Sequence, residues 1–64
     1  MLEKVMLAMI DEVEAIENYL NYSDSSDNQI DKDMYRQLAR QEYEHFNFLQ
    51  TKMNEYIKPI IDRF

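Results

Sequence analysis

The sequence predicts an all-α fold, an antiparallel helical hairpin that dimerises into a four-helix bundle. Three observations predict it. The chain has 64 residues with no Gly and a single Pro, which disfavours the tight turns of β-hairpins and small barrels. Apolar residues recur at helical spacing on both sides of one polar stretch. A chain this short buries only about 60% of its unfolded surface, so one hairpin needs a partner chain or a metal.

The first helix is predicted from about residue 2 to residue 22. Its apolar residues recur at alternating steps near three and four, with a single gap at position 12. They are Leu2, Val5, Met9, Ile16 and Tyr19. No residue in this run breaks a helix, so the segment is expected to be continuous.

A polar turn is predicted at about residues 23–30. It is rich in Ser, Asp and Asn, whose side chains hydrogen-bond the nearby backbone in turns and caps. Ser26 with Gln29 fits a capping box, and Asp31 or Asp33 would cap a later helix start.

The second helix is predicted from about residue 31 to residue 58. It ends there because the residue before Pro59 is biased away from helical conformation. Residues 59–64 form a tail that would begin a short third helix, with Pro59 in its first turn.

Composition excludes several classes of function. The net charge is −6, and there is no basic stripe to neutralise phosphates, so nucleic acid is not an expected partner. The absence of Cys excludes disulfides and thiolate metal sites. The longest apolar run, 5–10, is too short to span a bilayer and is a poor signal peptide. We therefore expect a cytoplasmic protein with no membrane partner.

Polar residues interrupt the apolar stripe of each helix. Position 12 of the first helix is Glu12, in the middle of the stripe. In the second helix, Glu42 and His45 occupy two stripe positions that lie one turn apart and share a face. The predicted stripe of that helix is Tyr35, Leu38, Glu42, His45, Leu49 and Tyr56.

The levels of these three residues also match. In an antiparallel hairpin, partners lie equidistant from the turn, and the midpoint of positions 12 and 42 is residue 27. Glu12, Glu42 and His45 are therefore expected in one inward-facing layer. A twofold dimer would bring four carboxylates and two imidazoles together, and four buried carboxylates need cations or protons.

The sequence pattern resembles the ferritin-like superfamily, as in rubrerythrins and bacterioferritins. Glu12 is followed by Ala15 three residues on and Tyr19 seven residues on, and then by the Glu42-x-x-His45 motif. That spacing is the inward-facing di-iron arrangement of ferritin-like bundles. The similarity is greatest to encapsulated ferritins and covers about residues 9–49.

Encapsulated ferritins share the acidic stretch that here is Asp11-Glu12-Val13-Glu14-Ala15, and they complete a ferroxidase centre by dimerising. The chain departs from that family at Asn18, where the family usually has an aromatic residue. The resemblance implies that Tyr19 lies next to the metal ligands, and that Asp11 and Glu14 lie on the approach of iron. It implies three iron-binding, catalytic residues: Glu12, Glu42 and His45.

The expected function is therefore a di-iron ferroxidase in iron storage or detoxification, with two irons per dimer, and the expected assembly is a homodimer or a higher homo-oligomer. Manganese is a rival metal, because carboxylate and imidazole ligands suit both ions. The resemblance adds an encapsulin-type shell as a partner and a protein nanocompartment as a location. Two alternatives stay open: a peroxidase or manganese-catalase-like enzyme, and a metal-free interaction module that uses the buried polar residues to fix helix register.

Overall fold

The computed structural model describes all 64 residues and contains two α-helices, α1 (Leu2–Ser25) and α2 (Gln29–Ile61). The helices pack side by side as a hairpin with no strand, so the predicted all-α hairpin is confirmed. The molecule is a rod of 53 × 16 × 14 Å. Neither helix is long and apolar enough to cross a membrane.

Helix α1 ends three residues later than the predicted end at residue 22. The serines at its end do not break the helix, because their hydroxyls bond back to it. Ser25 and Ser26 both donate to the Tyr22 carbonyl, at 3.2 and 2.7 Å. This back-bonding satisfies a carbonyl in the last turn, which otherwise has no helical partner. The turn is therefore shorter than predicted and comprises residues 26–28.

Helix α2 is capped by Asn28, and the predicted Ser26–Gln29 capping box is wrong. The Asn28 side chain accepts from the backbone N–H of Asp31 at 2.9 Å and donates to the Asp31 carboxylate at 2.9 Å. Asp31 also places a negative charge in the first turn, where the helix dipole favours it. With both bonds made at Asn28, α2 starts at Gln29, two residues before the predicted start.

Helix α2 also continues through Pro59, beyond the predicted end at residue 58. Pro59 lies in the last turn, where the missing N–H removes one bond near an exposed helix end and water can satisfy the freed carbonyl. The Asp62 N–H still donates to the Lys58 carbonyl at 2.9 Å. The predicted separate third helix does not form.

The face of α1 towards α2 agrees with the predicted stripe. All six of its positions are partly buried: Leu2, Val5, Met9, Glu12, Ile16 and Tyr19. In α2 the phase differs, because His45 and Tyr56 are exposed. The predicted Tyr35, Leu38, Glu42 and Leu49 are partly buried, and so are four residues outside the predicted stripe, Lys32, Phe46, Met53 and Ile57, while Ala39 is buried. His45 therefore lies at the edge of the interface between the helices.

The hairpin has no enclosed core. Only Ala39 and Ser23 are buried. The small Ala39 side chain lies where α2 faces α1, and the Ser23 hydroxyl donates to the Lys32 carbonyl of α2 at 3.0 Å. Fifteen large apolar residues are exposed, among them Met6, Val13, Met34 and Phe48. Two helices alone thus leave much apolar surface in water.

Candidate metal centre

Three side chains with metal-ligating atoms converge midway along the hairpin. Glu12 projects from α1, and Glu42 and His45 project from successive turns of α2. One ligand atom of each residue lies within 4.8 Å of the others. The His45 Nδ1 atom is 3.8 Å from Glu12 Oε2 and 3.7 Å from Glu42 Oε2.

The cluster is sheltered on one side and open on the other. The Glu12 and Glu42 side chains are 22% and 25% exposed, whereas the His45 side chain is 63% exposed. This gradient follows from helix geometry, because Glu42 faces α1 and His45 lies one turn on at the edge of that face. The open side of the cluster is therefore the His45 side.

The buried oxygen of Glu12 has no hydrogen-bond donor. Glu12 Oε2 is fully shielded from solvent and has no hydrogen-bond partner. The His45 nitrogen is too far away, since N–H···O bonds have donor–acceptor distances of about 2.7–3.2 Å. A buried polar atom without a partner is uncommon in proteins and costs free energy. A cation or a proton at this oxygen would remove that cost.

The pKa of Glu12 reports the same crowding. When Glu12 is protonated, its carboxyl can donate a hydrogen bond to the Glu42 carboxylate, which raises the pKa of Glu12, and burial and the Glu42 charge raise it further. Two ionised carboxylates can only accept, so that hydrogen bond exists only when one of the two holds a proton. The nearby His45 lowers the pKa, and the charge of Asp11 adds a small rise.

The chemistry of the donor set fits a divalent transition metal. Two ligand atoms that each lie about 2.1 Å from one ion are at most about 4.2 Å apart; the two distances to His45 Nδ1 are below that limit, and all three ligand atoms lie within 4.8 Å of one another. Side-chain rotation would bring all three to one ion. Carboxylate oxygens with an imidazole nitrogen suit Fe(II), Mn(II) and Zn(II) better than Mg(II) or Ca(II), which prefer oxygen alone. Glu12, Glu42 and His45 would hold the ion.

The other predicted site residues lie outside the cluster. Asp11 and Glu14 are exposed on α1. Tyr19 is partly buried two turns from Glu12 towards the hairpin turn, and its ring meets the edge of the Tyr22 ring at 6.3 Å. Their predicted roles next to the metal or on its approach stay predictions.

An aromatic cluster near the turn was not predicted. The Tyr22 ring bridges the two helices, with its centroid 5.5 Å from that of Tyr35 and 6.3 Å from that of Tyr19. The three-residue spacing of Tyr19 and Tyr22 was the available signal, since it places both rings on one side of α1. These rings pack between the turn and the layer that contains Glu12, Glu42 and His45.

Known proteins supply no template for the cluster. No protein-family profile, curated protein or solved structure matches the chain significantly. What the cluster does is therefore inferred from its own chemistry, namely two sheltered carboxylates, one accessible imidazole and one buried oxygen without a donor.

Proposed function

We propose that the chain is a ferroxidase of ferritin-like type, which binds Fe(II) as substrate at Glu12, Glu42 and His45 and oxidises it to Fe(III). The observation that carries the proposal is the buried Glu12 Oε2, which lacks a donor within a cluster of three ligand-bearing side chains. A side chain that served only the fold would be expected to have that oxygen hydrogen-bonded. The spacing of the three residues in the sequence, which resembles the ferritin-like pattern, supports the same proposal.

The active form is a homodimer with a dinuclear site. One hairpin offers three ligand residues and leaves the cluster open at His45. It also exposes fifteen large apolar side chains, more than a stable monomer of this size would leave in water. A twofold copy packed on the open side would cover apolar surface and add a second set of ligands.

Charge balance favours a pair of divalent ions at such a site. Four carboxylates from two chains neutralise two Fe(II) ions. This neutralisation offsets the free-energy cost of sheltering four carboxylates from water. Glu12, Glu42 and His45 of each chain would hold the ions. Oxidation removes one electron from each of two Fe(II) ions; with two protons from water, this electron pair reduces dioxygen to hydrogen peroxide, or reduces hydrogen peroxide to two water molecules. The extra positive charge is balanced by hydroxide or oxide derived from water.

The test is an anaerobic Fe(II) titration followed by measurement of oxygen consumption. Wild type is expected to bind about one iron per chain and to consume oxygen in proportion to iron added. Glu42→Ala and His45→Ala are expected to lose most of both. Glu44→Ala is the matched control, because Glu44 is an exposed carboxylate of the same helix outside the cluster, and it should behave as wild type.

Three outcomes would contradict the proposal. Equal damage from Glu44→Ala and Glu42→Ala would show that the cluster is not the binding site. Tight iron binding by a folded monomer in sedimentation would contradict the shared site. Breakdown of peroxide by the Mn(II)-loaded protein, without oxidation of Fe(II), would favour a manganese catalase instead.

A further inference from the structure

Two arginines form a groove on the outer side of α2. Arg36 and Arg40 lie one turn apart and, with Asp33 and Gln37, line an open groove of about 340 Å³. No hydrophobic residue lines it. We refer to these four residues as the arginine groove.

Neither guanidinium has a partner in the chain. All five ion pairs of the molecule involve other groups, and neither arginine side chain makes a hydrogen bond to the protein. The nearby Asp33 carboxylate accepts instead from the Gln29 amide at 2.7 Å. In a chain of net charge −6, two arginines that pair with none of its 13 acidic residues are available to an external anion.

Without a bound anion, the neighbouring charges of Arg36 and Arg40 destabilise α2. Like charges four residues apart on a helix repel and destabilise it. An anion held between Arg36 and Arg40 would reverse the sign of that interaction. Each guanidinium presents a planar fork of N–H donors that matches two oxygens of a phosphate group, and the Gln37 amide is a further donor at the groove.

We propose that the arginine groove binds a small tetrahedral oxyanion of the phosphate class. The groove offers two positive charges, N–H donors and one carboxylate, that of Asp33, but no apolar wall, so it would recognise the oxyanion itself and not an organic group attached to it. Two forks on one anion favour phosphate over a carboxylate, which has only two oxygens and one negative charge.

The arginine groove is independent of the metal centre. At 100° per residue, Arg40 lies about 160° around α2 from Glu42, and Arg36 about 120°. An anion in the groove therefore does not contact Glu12, Glu42 or His45. Failure of one site would leave the evidence for the other unchanged.

Calorimetric titration of the full chain with inorganic phosphate tests the proposal. Ionic strength is kept constant with chloride, so that general screening does not change during the titration. Saturable binding of one phosphate per groove is expected, with chloride alone giving none. The Glu42→Ala variant should bind phosphate as wild type does. Loss of phosphate binding in that variant would show that phosphate binds to metal retained at the Glu12, Glu42 and His45 cluster, and it would overturn the proposal.

Variants of the groove give the second arm of the test. The double variant Arg36→Gln with Arg40→Gln removes both charges but keeps good helix formers, and it is expected to bind phosphate at least about tenfold more weakly. Arg63→Gln is the matched control, since Arg63 is an exposed arginine outside the groove, and it should bind as wild type.

Replacement of both arginines by Lys keeps the charge and removes the forks. The affinity for phosphate is expected to fall several-fold. An unchanged affinity would show that the two guanidinium groups do not recognise phosphate by paired N–H donors. No saturable phosphate binding, equal binding by the double Gln variant, or tighter binding of an acidic peptide than of phosphate would each overturn the assignment. Circular dichroism of every variant confirms that the helices are intact.

Discussion

The turn end and the Glu12 layer of the hairpin use their polar side chains in opposite ways. At the turn end, the buried Ser23 hydroxyl donates to the Lys32 carbonyl, and Asn28 and Asp31 bond each other reciprocally. In the middle layer, Glu12 Oε2 is as well shielded from water but has no donor. Polar groups that complete the fold are satisfied within the chain, so an unsatisfied group in a sheltered layer points to a ligand.

The two regions also contribute to stability with opposite signs. A hydrogen bond such as that of Ser23 contributes about 0.5–1.5 kcal/mol to the free energy of unfolding. The Glu12 and Glu42 carboxylates lower that free energy in the absence of metal, because they repel each other and are partly desolvated. Removal of the Ser23 hydroxyl should therefore lower the free energy of unfolding, whereas removal of the Glu12 carboxylate should raise it.

The largest effect is expected from Glu12→Leu in the metal-free protein. Leu removes one of two crowded charges and adds apolar surface, so the free energy of unfolding should rise by about 1–4 kcal/mol, as in other buried-charge replacements. Thermal and urea unfolding at matched protein concentration measure the change. Fe(II) under nitrogen should raise the melting temperature of wild type but not of the variant, because only wild type binds it in the folded state.

A different result for Glu12→Leu would favour the metal-free alternative. If Glu12 only fixes helix register, the Leu variant should form mixed oligomers, and metal should have no effect on wild type or variant. A wild-type melting temperature that does not respond to Fe(II), Mn(II) or Zn(II) would contradict the metalloprotein proposal.

A smaller effect of opposite sign is expected from Ser23→Ala. The substitution removes the hydroxyl that joins α1 to the Lys32 carbonyl of α2, at a position that is 1% exposed, and should cost about 1 kcal/mol of stability. Ser25→Ala is the control, since the Ser25 hydroxyl is exposed and bonds only within its own helix. Urea unfolding of both variants should separate them, and iron stoichiometry should stay unchanged in each.

The smallest effect is a pH dependence that belongs to Glu12. Its pKa in the folded chain lies above the ordinary value of 4.5, so the folded state holds more protons than the unfolded state between those two values. Stability from this group therefore increases as the pH falls through that window and decreases as the pH rises. The groups facing Glu12 are Glu42 and His45 on α2, with Asp11 next to it on α1.

Glu12→Gln isolates that contribution. Relative to the variant, metal-free wild type should gain stability when the pH is lowered from neutral towards 4.5. Urea unfolding at several pH values measures the difference between the two proteins. A constant difference across that range would show that the Glu42 carboxyl does not act on Glu12 as the structure indicates.

Much of the fold could be predicted because it depends on patterns within each helix. The helical spacing of α1 fixes which residues turn towards α2, and the equal distance of positions 12 and 42 from the turn fixes their common level. The structure accordingly brings Glu12, Glu42 and His45 together. Whether they bind metal stays a prediction, since three converging side chains of this kind also occur without an ion.

The structure differs from the prediction where a side chain has more than one possible hydrogen-bond acceptor, or where a helix has more than one apolar face. The serines of the predicted turn bonded back to Tyr22 and lengthened α1, which composition alone does not show. In α2, apolar residues occur on both sides of the face that contacts α1, and the predicted and observed stripes share Tyr35, Leu38, Glu42 and Leu49. The small Ala39 was passed over, although its size is what lets it sit buried between the helices.

The three-residue turn has a consequence for how the hairpin forms. Closing so short a loop costs little chain entropy, so the first contacts between the helices are expected beside the turn, around Ser23 and Lys32. Pairing is then expected to proceed outwards, with the Glu12 layer closing after the turn but before the chain termini. Repulsion between the carboxylates would thus oppose a hairpin that is already half formed, and fraying at the free ends is expected to leave the Glu12 layer paired.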